Sequence, residues 1–499
     1  MLFNSYEFIF LFLPLTLLVF FWLARFGHRI SALWLAAVSL FFYGYWNPAY
    51  VSLLLASIIF NYSVGIYLVT IQKESRNVAK QRVLTTAVII NLTLLGYYKY
   101  TGFFVSNLSV ITGSSVEFKE IILPLGISFF TFTQIAFLVD TSKGYVKEVN
   151  FIRYTLFVTY FPHLIAGPVL HHKEMMPQFA DSKTFAVRWD NVATGILLFT
   201  VGLFKKVVWA DSFAPFVTAF FDGVSSGTAT GQLPTAYEAW GGALAYTLQI
   251  YFDFSGYTDM ALGIALMFNI RLPINFNSPY KSTSIIEFWR RWHITLSTFL
   301  KDYLYFPMGG NRHGQNRRYI NLLATMVLGG LWHGASWTFV IWGALHGAFL
   351  VINHAWRWFC GSILPRGYTA WIPSWSSKLA GGVLTFIAVT IAWVVFRASD
   401  MTQAQTILNA MFGVASQPVS ANNLSSANVM PVTNMSARDL LRLLIPGLLW
   451  VWILPNSTRV RFIDRSIFLC VVQIALVLYI FYTCIEKFGS YSPFLYFQF

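Results

Sequence analysis

The sequence predicts an all-α polytopic membrane protein. Hydrophobic residues make up 56% of the 499 positions and charged residues only 11%, with a mean hydropathy of +0.58. Soluble domains carry about 25% charged residues, so a set of water-soluble domains is excluded. The aromatic load of Phe 48, Tyr 25 and Trp 18 exceeds what soluble cores of this size hide. Apolar runs also recur from end to end, many close to the roughly 20 residues a helix needs to cross a bilayer. Barrel strands would be shorter and alternating.

The elements follow in order. The opening MLFNSYEF has no basic stretch, and no small-residue cleavage pattern follows its apolar run, so it reads as a retained first span. Spans are expected near 7–24, 30–46, 51–71, 84–98, 120–139, 152–170 and 190–208. Further spans are expected near 236–254, 336–355, 378–396, 441–455 and 467–485, which makes about a dozen crossings at this length. Shorter apolar stretches near 257–270 and 319–333 read as half-spans or tilted helices. No internal repeat appears, which weighs against an inverted-repeat transporter.

The net charge of +14 takes its meaning from the bilayer. Lys and Arg gather at the cytoplasmic face of membrane proteins, which removes nucleic acid as the expected partner and leaves the lipid bilayer. The loops 25–29, 72–82 and 459–465 are basic, and the first places the N-terminus outside. The block 271–318 holds Arg271, Lys281, Arg290, Arg291, Lys301, Arg312, Arg317 and Arg318 against Glu287 and Asp302, a surplus of +6. It is expected at the cytoplasmic face. The stretch 401–437 is polar, lacks Lys and Arg, and is expected to face outward.

Polar residues inside apolar spans are costly and therefore informative. One cluster is YFPHLIAGPVLHHKEMMPQF (160–179), where Pro162, Gly167 and Pro168 break a span beside His163, His171 and His172. Broken helices at membrane depth survive when buried in protein or lining a wet cavity. A second runs from QIYFDFSGYTDMALG (249–263) through NFNSPY (275–280) and EFWRRWHITLSTFLKDYLYFPMGGNR (287–312) to GGLWHGASW (329–337). Asp253 and Asp259 are read as caps or salt bridges at helix ends that position the basic block.

The three cysteines, Cys360, Cys470 and Cys484, have no paired spacing. The adjacent His171 and His172 lack the companions of a metal motif, and no metal is expected. His333 is the sharpest candidate, because Gly329, Gly330 and Gly334 leave room beside an imidazole able to take a hydroxyl proton. A hydrogen-bonded core histidine is the competing reading. On one continuous helix His346 lies about 220° away from it, on another face, so it reads as a weak partner. FWRRWH (288–293) reads as an interfacial helix carrying His293, with Arg290 and Arg291 to meet phosphate or lipid headgroups.

At these residues the chain resembles a membrane-bound O-acyltransferase, and within that superfamily the membrane subunit of bacterial alginate O-acetylation. The blocks that carry the likeness are LPLGISFFTFTQIAFLVD (123–140), FPHLIAGPVL (161–170), ALAYTLQIYFDFSGYTDMA (243–261), EFWRRWHITLSTFLKDYLYFPMGGNR (287–312) and LGGLWHGASWTFVIWGALHG (328–347). It is strong over 120–350 and weaker over 397–499. The resemblance implies His333 as catalytic histidine and His293 as the second signature position. It implies a ring of helices around a central tunnel, with N-terminal helices at 1–119, a catalytic core at 120–355 and C-terminal helices at 356–499.

The expected chemistry is acyl transfer from a thioester, acetyl-coenzyme A first, with Arg290 and Arg291 read as steering the phosphate of that nucleotide or of a carrier phosphopantetheine. The product would be O-acetylation of an exopolysaccharide such as alginate or cellulose. Periplasmic acetyltransferase proteins and polysaccharide export machinery are the implied partners, at the bacterial inner membrane. A D-alanyl transferase of the same superfamily, a polysaccharide flippase or permease, and a non-catalytic scaffold subunit are the rival readings.

Overall fold

A computed structural model describes residues 1–73, 77–113, 121–146, 150–165, 167–230, 233–362, 374–414, 432–433, 435–459, 466–488 and 494–495. Among these the chain is helical, with no strand. Among the described residues six helices are long and apolar enough to cross a membrane: Glu7–Ala24, Ala49–Gln72, Asn77–Thr112, Trp189–Ser225, Trp337–Cys360 and Trp375–Arg397. Exposed apolar side chains such as Leu18, Val110, Ile111 and Leu384 stud these helices, the surface that lipid covers. This is a multi-pass membrane protein.

Several expected elements take another form. The 152–170 span is broken into Phe151–Thr159 and the four-residue Phe161–Leu164. The stretch 257–270 is no separate half-span, because helix Ala236–Met267 runs through most of it. FWRRWH is not one interfacial helix: Ile285–Arg291 ends before Trp292, and a new helix, Ile294–Leu300, starts after His293. The polar stretch expected to face outward begins with helix Met401–Met411, which buries Gln403, Ala404, Ile407 and Ala410. Its positions 415–431 and 434 lie outside the described residues, as do 74–76 and 460–465 of the basic loops.

The chain divides into two units. The first comprises Met1–Phe204, Tyr257–Ile274 and Ser457–Tyr491. Phe3, Phe8, Phe42 and Phe161 form one aromatic cluster there. Helices Ala49–Lys73, Asn77–Thr112 and Ile127–Ser142 are tied by buried amides. Asn61 and Asn91 exchange side-chain hydrogen bonds of 3.1 and 2.8 Å, and Gln134 Nε2 donates to Ser57 Oγ at 2.9 Å. Such polar bonds hold apolar helices together where lipid competes equally for the apolar surface. Asp140 accepts from His172 Nδ1 at 3.1 Å. Gly126 sits at φ +70° with a Cβ position only 2.9 Å from the Leu164 carbonyl oxygen, so glycine alone suits that turn.

The second unit comprises Lys205–Gly256, Asn275–Asn456 and Ser492–Phe499. Its centre is the hairpin of helices Gly314–His333 and Trp337–Ser362. A Cβ on Gly330 would fall on the Phe339 carbonyl oxygen, and one on Gly343 on the Met326 carbonyl oxygen. Glycine at both crossing points lets the two backbones touch, the small-residue packing of membrane helices. That contact fixes the end of the first helix, where His333 sits.

Candidate active site

All four of the site residues expected from the sequence lie in the second unit. His333 is the last residue of helix Gly314–His333 and is only 6% exposed. Its ring stands edge-on to Trp342 at 5.2 Å and to Phe396 at 5.4 Å between centroids. His293 is fully buried, and its ring centroid lies 6.5 Å from that of His333. Forty residues apart in sequence, the two imidazoles share one aromatic chamber, with Trp332 beside them in ring contact with both.

His293 occupies an unusual backbone state, with φ +43° and ψ +54°. Side chains beyond glycine and asparagine seldom adopt it. Two backbone bonds clamp it, Asn277 N–H to Arg291 O and Ile294 N–H to Asn275 O, each 2.9 Å. Burial pushes its imidazole down to about 3, so the ring is neutral at ordinary pH. The Ser284 hydroxyl caps the helix before it by accepting from the Glu287 N–H. Burial alone would raise the Glu287 carboxyl, but the Thr283 N–H, the Thr283 hydroxyl and Arg291 together hold it below its ordinary value.

The two arginines part company. Arg291 is committed to the fold: it pairs with Glu287 at 2.7 Å and donates to the Asn277 carbonyl at 3.2 Å. Arg290 is exposed and lines a cleft of about 520 Å³. Lys301 and Arg318 line it too, while Trp289, Ile294 and Met326 supply an apolar wall. The cleft joins cationic groups to apolar surface and reaches Ile294, the residue after His293.

His346 belongs to the same aromatic chamber. The chain breaks after His333, so one-helix arithmetic does not apply, and His346 flanks Trp342 at 4.8 Å. Its Nδ1 accepts from the Trp289 indole N–H at 3.3 Å. Asp253 makes a salt bridge, one of the two roles expected of it, but not at a helix end. It is buried mid-helix, 2.7 Å from Lys206 Nζ, and accepts from the Leu495 N–H at 3.0 Å. Lys206 also holds Asp211 at 2.7 Å. Among the described residues no three His, Cys, Asp or Glu side chains converge to hold a metal ion.

A family model described as MBOAT, membrane-bound O-acyltransferase family, matches residues 16–391. The chain belongs to the membrane-bound O-acyltransferase family. It is 40% identical to the peptidoglycan O-acetyltransferase of Helicobacter pylori, over 100% of this chain and 98% of that protein. It is 41% identical to the probable alginate O-acetylase AlgI of Azotobacter vinelandii, over 87% and 83% of the two chains. The teichoic acid D-alanyltransferase of Bacillus subtilis is more distant, 27% identical over 54% of this chain and 68% of its own. Family membership makes this membrane protein an acyltransferase, and the buried histidine pair lies within the matched region.

Proposed function

We propose that the protein is an O-acetyltransferase of the bacterial inner membrane. In this reading it carries acetyl from a cytoplasmic thioester, acetyl-coenzyme A, toward the O-acetylation of an exported or cell-wall polysaccharide. The observation that carries the proposal is the pair of buried imidazoles 6.5 Å apart. Relatives near 40% identity are named for acetyl transfer to peptidoglycan and alginate, whereas those named for D-alanyl transfer stand at 27–28% over about half the chain. That difference favours acetyl over D-alanyl. Peptidoglycan joins alginate and cellulose as a candidate polymer.

The steps balance without a further reactant. The acceptor hydroxyl, on the glycan or on a periplasmic acetyltransferase partner that completes delivery, attacks the thioester carbonyl as His333 takes its proton. The tetrahedral oxyanion collapses, the C–S bond breaks, and the departing thiolate takes the proton from His333. The products are an O-acetyl ester and free thiol. Arg290, Lys301 and Arg318 at the cleft suit the phosphates of a coenzyme A or a phosphopantetheine arm, and the apolar wall suits its thioester end.

The test is His333→Ala in purified protein, assayed for acetyl transfer from acetyl-coenzyme A. Loss of a general base costs about 10²–10⁴-fold in rate, so kcat is expected to fall by that factor, with expression and detergent stability near wild type. A variant that keeps more than about a tenth of kcat would return His333 to the role of a core histidine.

A further inference from the structure

Asn275 lies 18 residues before His293 and is 1% exposed. Its Oδ1 meets three groups: Thr295 N–H at 3.3 Å, the Thr295 hydroxyl at 2.9 Å and His293 Nδ1 at 3.1 Å. A backbone N–H can only donate, so the atom facing it must be the amide oxygen; the flipped amide would set donor against donor. An amide oxygen can only accept. The His293 Nδ1 that meets it therefore carries the ring proton, and in the neutral ring Nε2 carries the lone pair.

We infer that Asn275 is a positioning residue that locks His293 in one tautomer, so that His293 offers the reacting groups an acceptor and not a donor. The inference rests on the acid–base reading of the histidine pair given above. A neutral His293 held this way cannot donate to the tetrahedral oxyanion, and its Nε2 is suited to accept from a hydroxyl or thiol. The lock also explains why the strained backbone at residue 293 persists: Asn275 holds that turn through its carbonyl oxygen, which accepts from Ile294 N–H, and through its side chain.

Several described residues surround His293 and bear on its titration. From helix Gly314–His333 comes His333 itself. Helix Ala236–Met267 presents the Phe254 ring at 4.8 Å, while the neighbouring Asp253 is turned to Lys206. On helix Ile285–Arg291, Arg291 is tied to Glu287. The Phe276 ring from the adjoining segment and the Trp332 ring also contact it.

The experiment compares Asn275→Asp and Asn275→Ala in the full-length protein, with acetyl transfer followed across pH. Aspartate can accept the same three bonds but sets a negative charge beside Nδ1, which favours the imidazolium. Asn275→Asp is expected to approach wild-type kcat at high pH and to lose it on acidification about one to three pH units above the wild-type limb. Asn275→Ala is expected to lower kcat by about ten- to a hundredfold, the scale of a lost orienting partner, with donor KM near wild type. A residue that only braces the turn would leave the aspartate variant's acid limb superimposed on the wild type, and that result overturns the inference even if the alanine variant fails to fold. Activity surviving in His333→Ala strikes the acid–base reading instead, so the two failures are told apart.

Discussion

Neighbouring arginines on one short helix have acquired different work. Arg291 closes an i,i+4 pair with Glu287 and reaches the Asn277 carbonyl, whereas Arg290 faces the cationic cleft. Arg290→Gln is therefore expected to raise the donor KM by about tenfold, the value of one charge-assisted hydrogen bond, with kcat little changed. Arg291→Gln is expected to leave KM alone and to cost at most about 1 kcal/mol of stability, since its pair is half-exposed. Steady-state kinetics and thermal unfolding of the two variants check both; equal effects on KM would make the arginines a joint donor site. His333 and His293 stand out as candidates in the sequence because each lies among small or aromatic residues in a recognisable block. Asn275 and the Trp289–His346 bond do not, since their partners are 18 and 57 residues apart. No local spacing rule brings such pairs together.

Helix breaks and helix crossings decide where those side chains go. A positive φ at His293 ends one seven-residue helix and starts another, and no propensity scale assigns that state to histidine. This is why FWRRWH reads as a continuous interfacial helix from its sequence. The break after His333 falls where Gly334 and Ser336 interrupt the apolar run. The crossing of the hairpin depends on glycines whose need appears only when the two backbones are brought together. Gly343→Ala is expected to destabilise the protein by about 1–3 kcal/mol through overpacking against Met326 and Val327. Gly96→Ala, with no atom within 4 Å of its added Cβ, is expected to be neutral or to stabilise by up to about 1 kcal/mol. Thermal unfolding in detergent reads both. Equal midpoints would show that the backbones separate at no cost and that the hairpin does not fix His333.

Across the whole chain, composition settles the class and charge predicts the orientation. About a dozen spans follow from apolar runs of roughly bilayer length, yet six helices among the described residues combine that length with sufficient hydropathy. The difference has physical causes. Helices His28–Gly44 and Ala437–Ile453 stop at 17 residues, and Tyr160 breaks the span that carries the first polar cluster. Orientation rests on a separate argument. Moving the surplus of +6 in 271–318 across a bilayer is opposed at every Lys and Arg, while 401–437 holds none to oppose it. A donor arriving from the cytoplasm requires Arg290, Lys301 and Arg318 on that side, so topology and the proposed chemistry stand together. With Cys360, Cys470 and Cys484 replaced by serine, His313→Cys and Ser420→Cys are each probed in whole cells with a membrane-impermeant maleimide. Position 420 is expected to label and the exposed position 313 only after permeabilisation. Labelling of 313 from outside would place the cationic cleft on the wrong side for a cytoplasmic thioester, and the donor assignment would fall with it.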